Sequence, residues 1–272
     1  VEFRKKSRLG SRAESQIKER IKDKVSRYIE IEEIIGKTHK FENPFSDPLI
    51  HSIEAAESYA TELRKSWSLG LNPIPNILEM LEDKNIKVIE MDAPPAFDGL
   101  SAWSGKIPVV VLNRNLDEVR KRFTAIHELG HLIFTFPESG KATEKLCHYF
   151  AAAFLIPEVR IKEELGDKRK RITDTELAGI KEYWGISIQA LMRRVRDLNI
   201  ITDSYYKRFC IWINKNKLRN EEGPGKYQGQ EKALRFEQLV AHAHAEELIT
   251  ISKAAELLDV SMDEIRHQSQ MA

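Results

Sequence analysis

The chain has 272 residues, of which 42% are hydrophobic, and its 43 Lys and Arg residues against 42 Asp and Glu residues give a formal net charge of +1. This composition supports one large or two modest hydrophobic cores, and the balanced charge argues against a surface built wholly for nucleic acid. Two cysteines are too few for a disulfide framework and no apolar run could cross a membrane, so we expect a cytoplasmic protein without membrane contact.

Residues 1–48 are expected to form a helical arm and a linker. Ser11 and Glu14 could form a capping box, and Gly36 can end the helix. The helix would carry an apolar stripe made of Ile17, Ile21, Val25, Tyr28 and Ile31. This stripe could pack on its own domain or against a second copy of the chain, which leaves a homodimer open. Two X-Pro pairs within residues 37–48 break the pattern and predict a boundary.

Residues 49–160 are expected to form the functional core. The pattern predicts helices over about 49–68 and 74–83, a strand over Lys87–Met91, and a hairpin that turns at Ser104-Gly105-Lys106. The strand through Val109–Leu112 leads into the next helix. The region 101–112 could present a sheet edge on which an extended peptide adds as a strand. The alternative is a half-buried hairpin of the core.

The segment His127-Glu128-Leu129-Gly130-His131 carries the clearest chemistry. It lies in a predicted helix over Arg120–Phe136, for which Asn115 or Asp117 could supply the cap. Two histidines four residues apart share one helix face and can bind one metal ion. Glu128 lies between them and can accept a proton from a water molecule. This is the HExxH pattern of zinc peptidases, so the segment predicts a Zn²⁺ site with His127 and His131 as ligands.

A third ligand is expected on a second helix, predicted over Ala142–Leu155. Glu144 and His148 lie four residues apart on this helix and therefore share a face. Either side chain could reach the metal. The alternative is that Glu144 stabilises the start of the helix while His148 packs or faces water.

The chain after Pro157 is expected to be basic and helical. Residues 161–218 predict a helix-turn-helix-like pair over Thr173–Tyr183 and Ser187–Leu198, with arginines on the second helix that could meet phosphate. Residues 219–272 begin with a connector and continue into a further helical region. This region is predicted to hold a helix over Glu231–Leu248 and a small helix-turn-helix over residues 252–267.

Two segments resemble the ImmA/IrrE family of bacterial and phage metallopeptidases, namely IHELGHL at residues 126–132 and EKLCHYFAAAFLIP at residues 144–157. The resemblance extends over about residues 50–200, including the hairpin from Phe97. It implies an α+β fold, with a zincin-like metallopeptidase core, a small sheet, a helical N-terminal arm and a helical C-terminal region. It also implies that the third zinc ligand is Glu144 and the general base is Glu128. Cys147 and His148 stand where the family usually has Ala-Asn, so His148 could support a ligand or compete with one.

The resemblance implies a zinc-dependent endopeptidase that cuts a helix-turn-helix repressor at one site, in stress or mobile-element regulation. Similar family members often carry a helix-turn-helix domain before a basic segment such as Phe3–Leu9, so DNA contact could come through such an N-terminal domain. The alternative is a regulatory or toxin-antitoxin component that binds DNA or a protein partner and does not cleave. A general degradative peptidase is a third alternative.

Overall fold

A computed structural model of the chain describes the backbone of residues 2–3, 11–216 and 223–269, and the side chains of residues 15–216 and 223–267. The capping box predicted at Ser11 and Glu14, most of the basic segment Phe3–Leu9 and the boundary predicted at residue 218 lie outside this description. The strands are β1 (Glu2–Phe3), β2 (Lys87–Met91), β3 (Gly99–Ser104) and β4 (Ile107–Asn113). The helices of the described residues are α1 (Ser11–Ile35), α2 (Ile53–Ser66), α3 (Ile77–Asp83), α4 (Glu118–Ile133), α5 (Lys141–Leu155), α6 (Glu158–Leu165), α7 (Asp174–Trp184), α8 (Ile188–Asp197), α9 (Asp203–Lys215), α10 (Arg235–Ala245), α11 (Ile251–Leu258) and α12 (Met262–Ser269). This is the mixed α+β fold that the sequence predicts, with a small sheet and helical regions at both ends.

The sheet has the strand order β1-β3-β4-β2. Strands β3 and β4 form an antiparallel hairpin that turns through Gly105, whose φ of +61° suits glycine. Strand β2 pairs with β4 in parallel, from Lys87 opposite Val109 to Met91 opposite Asn113. Because β4 is hydrogen-bonded on both sides, the prediction of an exposed sheet edge is wrong for residues 107–112. The other hairpin strand, β3, lies toward an outer side of the sheet, where the two residues of β1 pair with Ala102 and Trp103.

The two faces of the sheet contribute to separate apolar clusters because side chains alternate along a strand. Val109 and Val111 of β4 pack on the side where helix α1 lies, against Ile17, Ile21 and Val25. Val110 and Leu112 belong to the larger cluster on the opposite side, formed with helices α2, α3, α4 and α5. All four of these β4 residues are fully buried. The central strand therefore reads as an unbroken apolar run, as expected when both faces are covered.

Helix α1 packs both on the sheet and on helix α10. Its stripe continues past the sheet, where Tyr28 and Ile31 pack against Leu239 and Val240 of α10. The stripe that the sequence left open for a second copy is therefore used within its own chain over the residues that the structure describes.

The predicted helix-turn-helix pair over residues 173–198 corresponds to α7 and α8, joined through Gly185 in the left-handed conformation. Helix α8 packs into a second apolar cluster through Ile188, Leu191 and Val195. Its Arg194 is buried and forms an ion pair with Glu57 of α2. The other two arginines of α8 lie close to the carboxylate of Asp197. This helix is held against the core, with none of its residues classed as fully exposed.

Among the helices described, none is both long enough and apolar enough to cross a membrane.

Candidate metal centre

Helix α4 carries the two histidines and begins at a side-chain cap. Asp117 accepts a hydrogen bond from the backbone N–H of Arg120 at 2.8 Å, which confirms one of the two predicted caps. The helix ends at Ile133, three residues earlier than predicted. The chain becomes extended there because Thr135 pairs with Leu49 in a parallel bridge. The carbonyl oxygen of Thr135 also accepts a hydrogen bond from the N–H of Ile50.

Helix α5 approaches α4 closely at Gly130. A Cβ atom at this position would lie 3.2 Å from the Phe150 ring and 3.5 Å from the Cys147 sulfur. Glycine therefore permits the short distance between the two helices. Gly130 thus has a packing role. It lets α5 lie close enough for Glu144, in the first turn of α5, to reach the face of α4 that carries the two histidines.

The structure brings His127, His131 and Glu144 together. The two Nε2 atoms lie 3.2 Å apart, and the Glu144 oxygens lie 3.3 Å from Nε2 of His127 and 3.4 Å from Nε2 of His131. Zn²⁺ bonds of about 2.0–2.1 Å in a tetrahedron place neighbouring ligand atoms roughly 3.3–3.4 Å apart. The spacing and the two-imidazole, one-carboxylate donor set both fit Zn²⁺. These residues could therefore hold this metal.

His148 offers a wider alternative group. Its ligand atom lies within 4.8 Å of those of His127 and Glu144. Its ring centroid is 4.4 Å from that of His127, and its ring also stacks on Phe123. Two sets of three residues are therefore available, one with His131 and one with His148, and both contain His127 and Glu144. His148 lines the same cleft as the other three residues.

Glu128 lies below the histidine face and is only 1% exposed. Its Oε2 atom accepts a hydrogen bond of 2.9 Å from the hydroxyl of Ser101 on β3. The sequence patterns did not single out Ser101. The available signal was a small polar residue within the apolar strand Leu100–Trp103, two positions after a glycine.

Cys147 is a second residue whose contact the patterns did not reveal. Its sulfur lies 3.6 Å from Nδ1 of His131, on the opposite side of the ring from the Nε2 atom that faces Glu144. The thiol is 1% exposed. Groups that contact the second ring nitrogen of a metal-binding histidine orient the ring, so this thiol occupies an orienting position.

The histidines open into a cleft of about 1340 Å³. Its walls include the aromatic rings of Phe97, Phe123 and Phe136. Charged side chains lie at the rim, where Arg120 forms an ion pair of 2.8 Å with Asp98. A cleft of this size exceeds what a single small molecule needs and can hold several residues of a peptide.

The far side of α4 is anchored by a buried ion pair between Arg122 and Glu231. Both side chains are fully buried. The Glu231 carboxylate also accepts from the backbone N–H of Ile77 at 2.6 Å and of Leu78 at 3.2 Å, at the start of α3. Burial raises the pKa of Glu231, and the Arg122 guanidinium opposes that rise.

Comparison with known proteins agrees with these features. Residues 81–196 match the family model described as the IrrE N-terminal-like domain, a segment that contains the HELGH motif, Ser101, Glu144 and His148. No curated protein matches the chain. Residues 81–196 are therefore similar to the IrrE N-terminal-like domain that characterises the ImmA/IrrE family of metallopeptidases.

Proposed function

We propose that the chain is a zinc-dependent endopeptidase in which His127, His131 and Glu144 hold the metal and Glu128 is the general base. The observation that carries this proposal is the close grouping of three side chains at the wall of a peptide-sized cleft. The two Nε2 atoms lie 3.2 Å apart, one Glu144 oxygen lies 3.3 Å from Nε2 of His127, and the other lies 3.4 Å from Nε2 of His131. Glu128 is buried and lines the same cleft as the two imidazoles, which supports its proposed role in accepting a proton from water there.

When bound, Zn²⁺ with one open position supplies a Lewis acid for the substrate carbonyl and lowers the pKa of water to about 7. Glu128 accepts a proton from the attacking water and then donates it to the nitrogen of the leaving amine. Its burial keeps bulk water away from this transfer. Cys147 supports the ring of His131 from the side opposite Glu144.

The substrate is proposed to be a helix-turn-helix repressor, cut at a specific site in stress or mobile-element regulation. The family supports a protein substrate, and the cleft has room for an extended segment. The remaining expectations stay proposals on the same footing: a cytoplasmic location, DNA contact through an N-terminal helix-turn-helix domain, and a homodimer. The division into residues 1–48, 49–160, 161–218 and 219–272 is likewise a proposal.

Incubation with a helix-turn-helix repressor, chosen first from any encoded beside this gene, tests the proposal. The zinc-loaded chain should cut it at one position, and Glu128→Gln should abolish cleavage while the zinc content is unchanged. The matched control is Glu79→Gln, an exposed carboxylate on α3 that lies outside the cleft.

Cleavage that survives Glu128→Gln would remove Glu128 from the mechanism. A biological effect on transcription that survives the same variant, without any cleavage, would instead support a non-cleaving regulatory component. Broad cleavage of casein would point to a degradative peptidase and against the specific repressor.

A further inference from the structure

We infer that Ser101 is a positioning residue that holds the carboxylate of Glu128 in its working orientation. The inference rests on the proposed function, since it assigns Ser101 a task only if Glu128 moves protons. The Ser101 hydroxyl donates to Oε2 of Glu128 at 2.9 Å, and the two side chains are 0% and 1% exposed. A hydrogen bond to a buried carboxylate is stronger than one between neutral groups.

The surroundings of Ser101 are apolar, so its buried hydroxyl needs a hydrogen-bond partner. Ser101 lies opposite Val110 in the hairpin, and Val110 belongs to the large apolar cluster under α4. A hydroxyl buried among such side chains costs free energy unless it is hydrogen-bonded. An alanine or valine would pack at this site without that cost. The hydrogen bond to Glu128 is the interaction that the serine provides and an apolar residue could not.

Gly99 sets the distance that the serine spans. A Cβ atom on Gly99 would lie 2.8 Å from the Thr124 methyl and 2.8 Å from the carbonyl oxygen of Val111. Any side chain at this position would push the strand away from the helix. The glycine therefore keeps β3 close enough to α4 for a side chain as short as serine to reach Glu128.

The contacts made by Gly99 and by Ser101 have matching spacings on strand β3 and on helix α4. Gly99 and Ser101 are two residues apart on β3, which is about 6.7 Å along a strand. Thr124 and Glu128 are four residues apart on α4, which is about 6 Å along a helix. Gly99 meets Thr124 and Ser101 meets Glu128, so the strand runs beside the helix over this turn. The placement of Ser101 is thus built into the packing of two rigid elements.

The hydrogen bond constrains the carboxylate in a specific way. With Oε2 accepting from Ser101, rotation of the carboxylate about its last bond is restricted. Loss of the hydroxyl should leave the metal ligands in place and allow Glu128 to turn. The effect should therefore appear in the action of Glu128 and not in zinc content.

Binding of acetohydroxamate to the full, zinc-loaded chain tests this without a known substrate. A hydroxamate chelates the metal and shares its proton with the neighbouring carboxylate, so its affinity reports the orientation of Glu128. Ser101→Ala should weaken binding about tenfold, the lower range for loss of a hydrogen bond to a charged group. Ser101→Thr, which keeps the hydroxyl, should restore most of the affinity. Ser104→Ala removes a hydroxyl from the same strand outside the cleft and should change nothing.

A double variant separates positioning from a purely structural role. If Ser101 acts through Glu128, adding Ser101→Ala to Glu128→Gln should produce no further loss of acetohydroxamate affinity. The inference would be overturned if the double variant lost affinity by the product of the two single losses. It would also be overturned if Ser101→Ala kept full affinity and full zinc content. Should Ser101→Thr fail to fold, the double variant still decides.

The outcomes also separate this inference from the proposed function. If Glu128→Gln itself leaves acetohydroxamate binding unchanged, the role proposed for Glu128 fails. If Glu128→Gln weakens binding and Ser101→Ala does not, the proposed function stands and the positioning role of Ser101 alone is refuted.

Discussion

Each side chain of the metal centre performs a task that its neighbours make possible. His127 and His131 present their Nε2 atoms on one helix face, and Glu144 approaches both from the next helix. Ser101 contacts Glu128 from the sheet, and Cys147 contacts His131 from α5. The residues that touch the proposed metal are thus held by others that do not touch it. Predictions at this scale concern which substitution removes the metal.

Replacement of either histidine by alanine should remove the metal. His127→Ala and His131→Ala each delete one of the three proposed ligands, so we expect zinc affinity to fall by more than the roughly 10–100-fold that loss of a supporting residue costs. Metal analysis after zinc loading and desalting measures this. His51→Ala, an exposed histidine outside the cleft, is the control and should retain about one equivalent. Full zinc content in both cleft variants would refute the ligand assignment.

Glu144 and His148 should differ sharply in the same measurement. Glu144→Ala should lose zinc because its oxygens lie 3.3 and 3.4 Å from the two imidazole nitrogens. His148→Ala should keep zinc because the group that contains His148 spreads up to 4.8 Å. The reverse result, with zinc lost only in His148→Ala, would make His148 the third ligand.

At the scale of elements, helix α4 is held on both sides. The cleft side faces α5 across Gly130, and the opposite side is tied through Arg122 to Glu231. Glu231 also binds the first N–H groups of α3, where a carboxylate is favoured by the helix dipole. The segment before α10, outside the matched domain, therefore completes the support of α4. The stability of α4, which carries the proposed ligands, depends on this distant carboxylate.

Removal of Glu231 should destabilise the fold strongly. Glu231→Ala leaves the Arg122 charge buried without its partner, which costs about 3–5 kcal/mol of unfolding free energy. Urea denaturation followed by circular dichroism measures this loss. Glu237→Gln, an exposed carboxylate on α10, is the control and should stay within about 0.5 kcal/mol of the parent.

A double replacement tests whether charge or shape matters in this pair. Arg122→Met combined with Glu231→Leu removes both buried charges and should recover much of the stability lost by Glu231→Ala. A double variant as unstable as the single one would show that the additional hydrogen bonds to α3 outweigh the ion pair.

At the scale of the whole molecule, a buried polar cluster connects both ends of the chain to the core. Glu82 at the end of α3 accepts a hydrogen bond from the Tyr28 hydroxyl of α1 at 3.3 Å and from the Arg235 N–H of α10 at 3.1 Å. Beside it, Lys87 and Glu32 form a buried ion pair. Burial raises the pKa of Glu82 to about 7, against the lowering effect of its hydrogen bonds.

The raised pKa of Glu82 predicts a pH-dependent stability. Between the unfolded pKa of 4.5 and the folded value of about 7, the folded chain binds the proton more tightly than the unfolded chain. This contribution to the unfolding free energy is therefore complete below pH 4.5 and is lost as pH rises through 7, a change on the order of 3 kcal/mol.

Urea denaturation across this pH range measures the difference between the parent and Glu82→Gln. The parent should lose stability relative to Glu82→Gln as pH rises, because the glutamine stays neutral. Parallel pH profiles for the two proteins would contradict the assignment to Glu82. Glu79→Gln, exposed on the same helix, should follow the parent.

The amino-acid sequence by itself determined the local parts of this protein. The strand Lys87–Met91, the helices around the histidines and the hairpin turn at Gly105 follow from periodicity and turn residues within a few positions of one another. The pairing of His127 with His131 is local in the same sense, since one helical turn separates them. Helix ends differed where a cap such as Ser52 or a bridge such as Leu49 to Thr135 intervened.

Only the tertiary structure decided which distant side chains meet. The contact of Ser101 with Glu128 joins residues 27 apart, and the ion pair of Arg122 with Glu231 joins residues 109 apart. The order β1-β3-β4-β2 likewise buried β4 inside the sheet, which a strand pattern alone does not reveal. Periodicity tells which face of an element is apolar, but the partner that covers this face depends on packing of the whole chain. The residues that support the proposed chemistry were therefore visible only once the elements had been brought together.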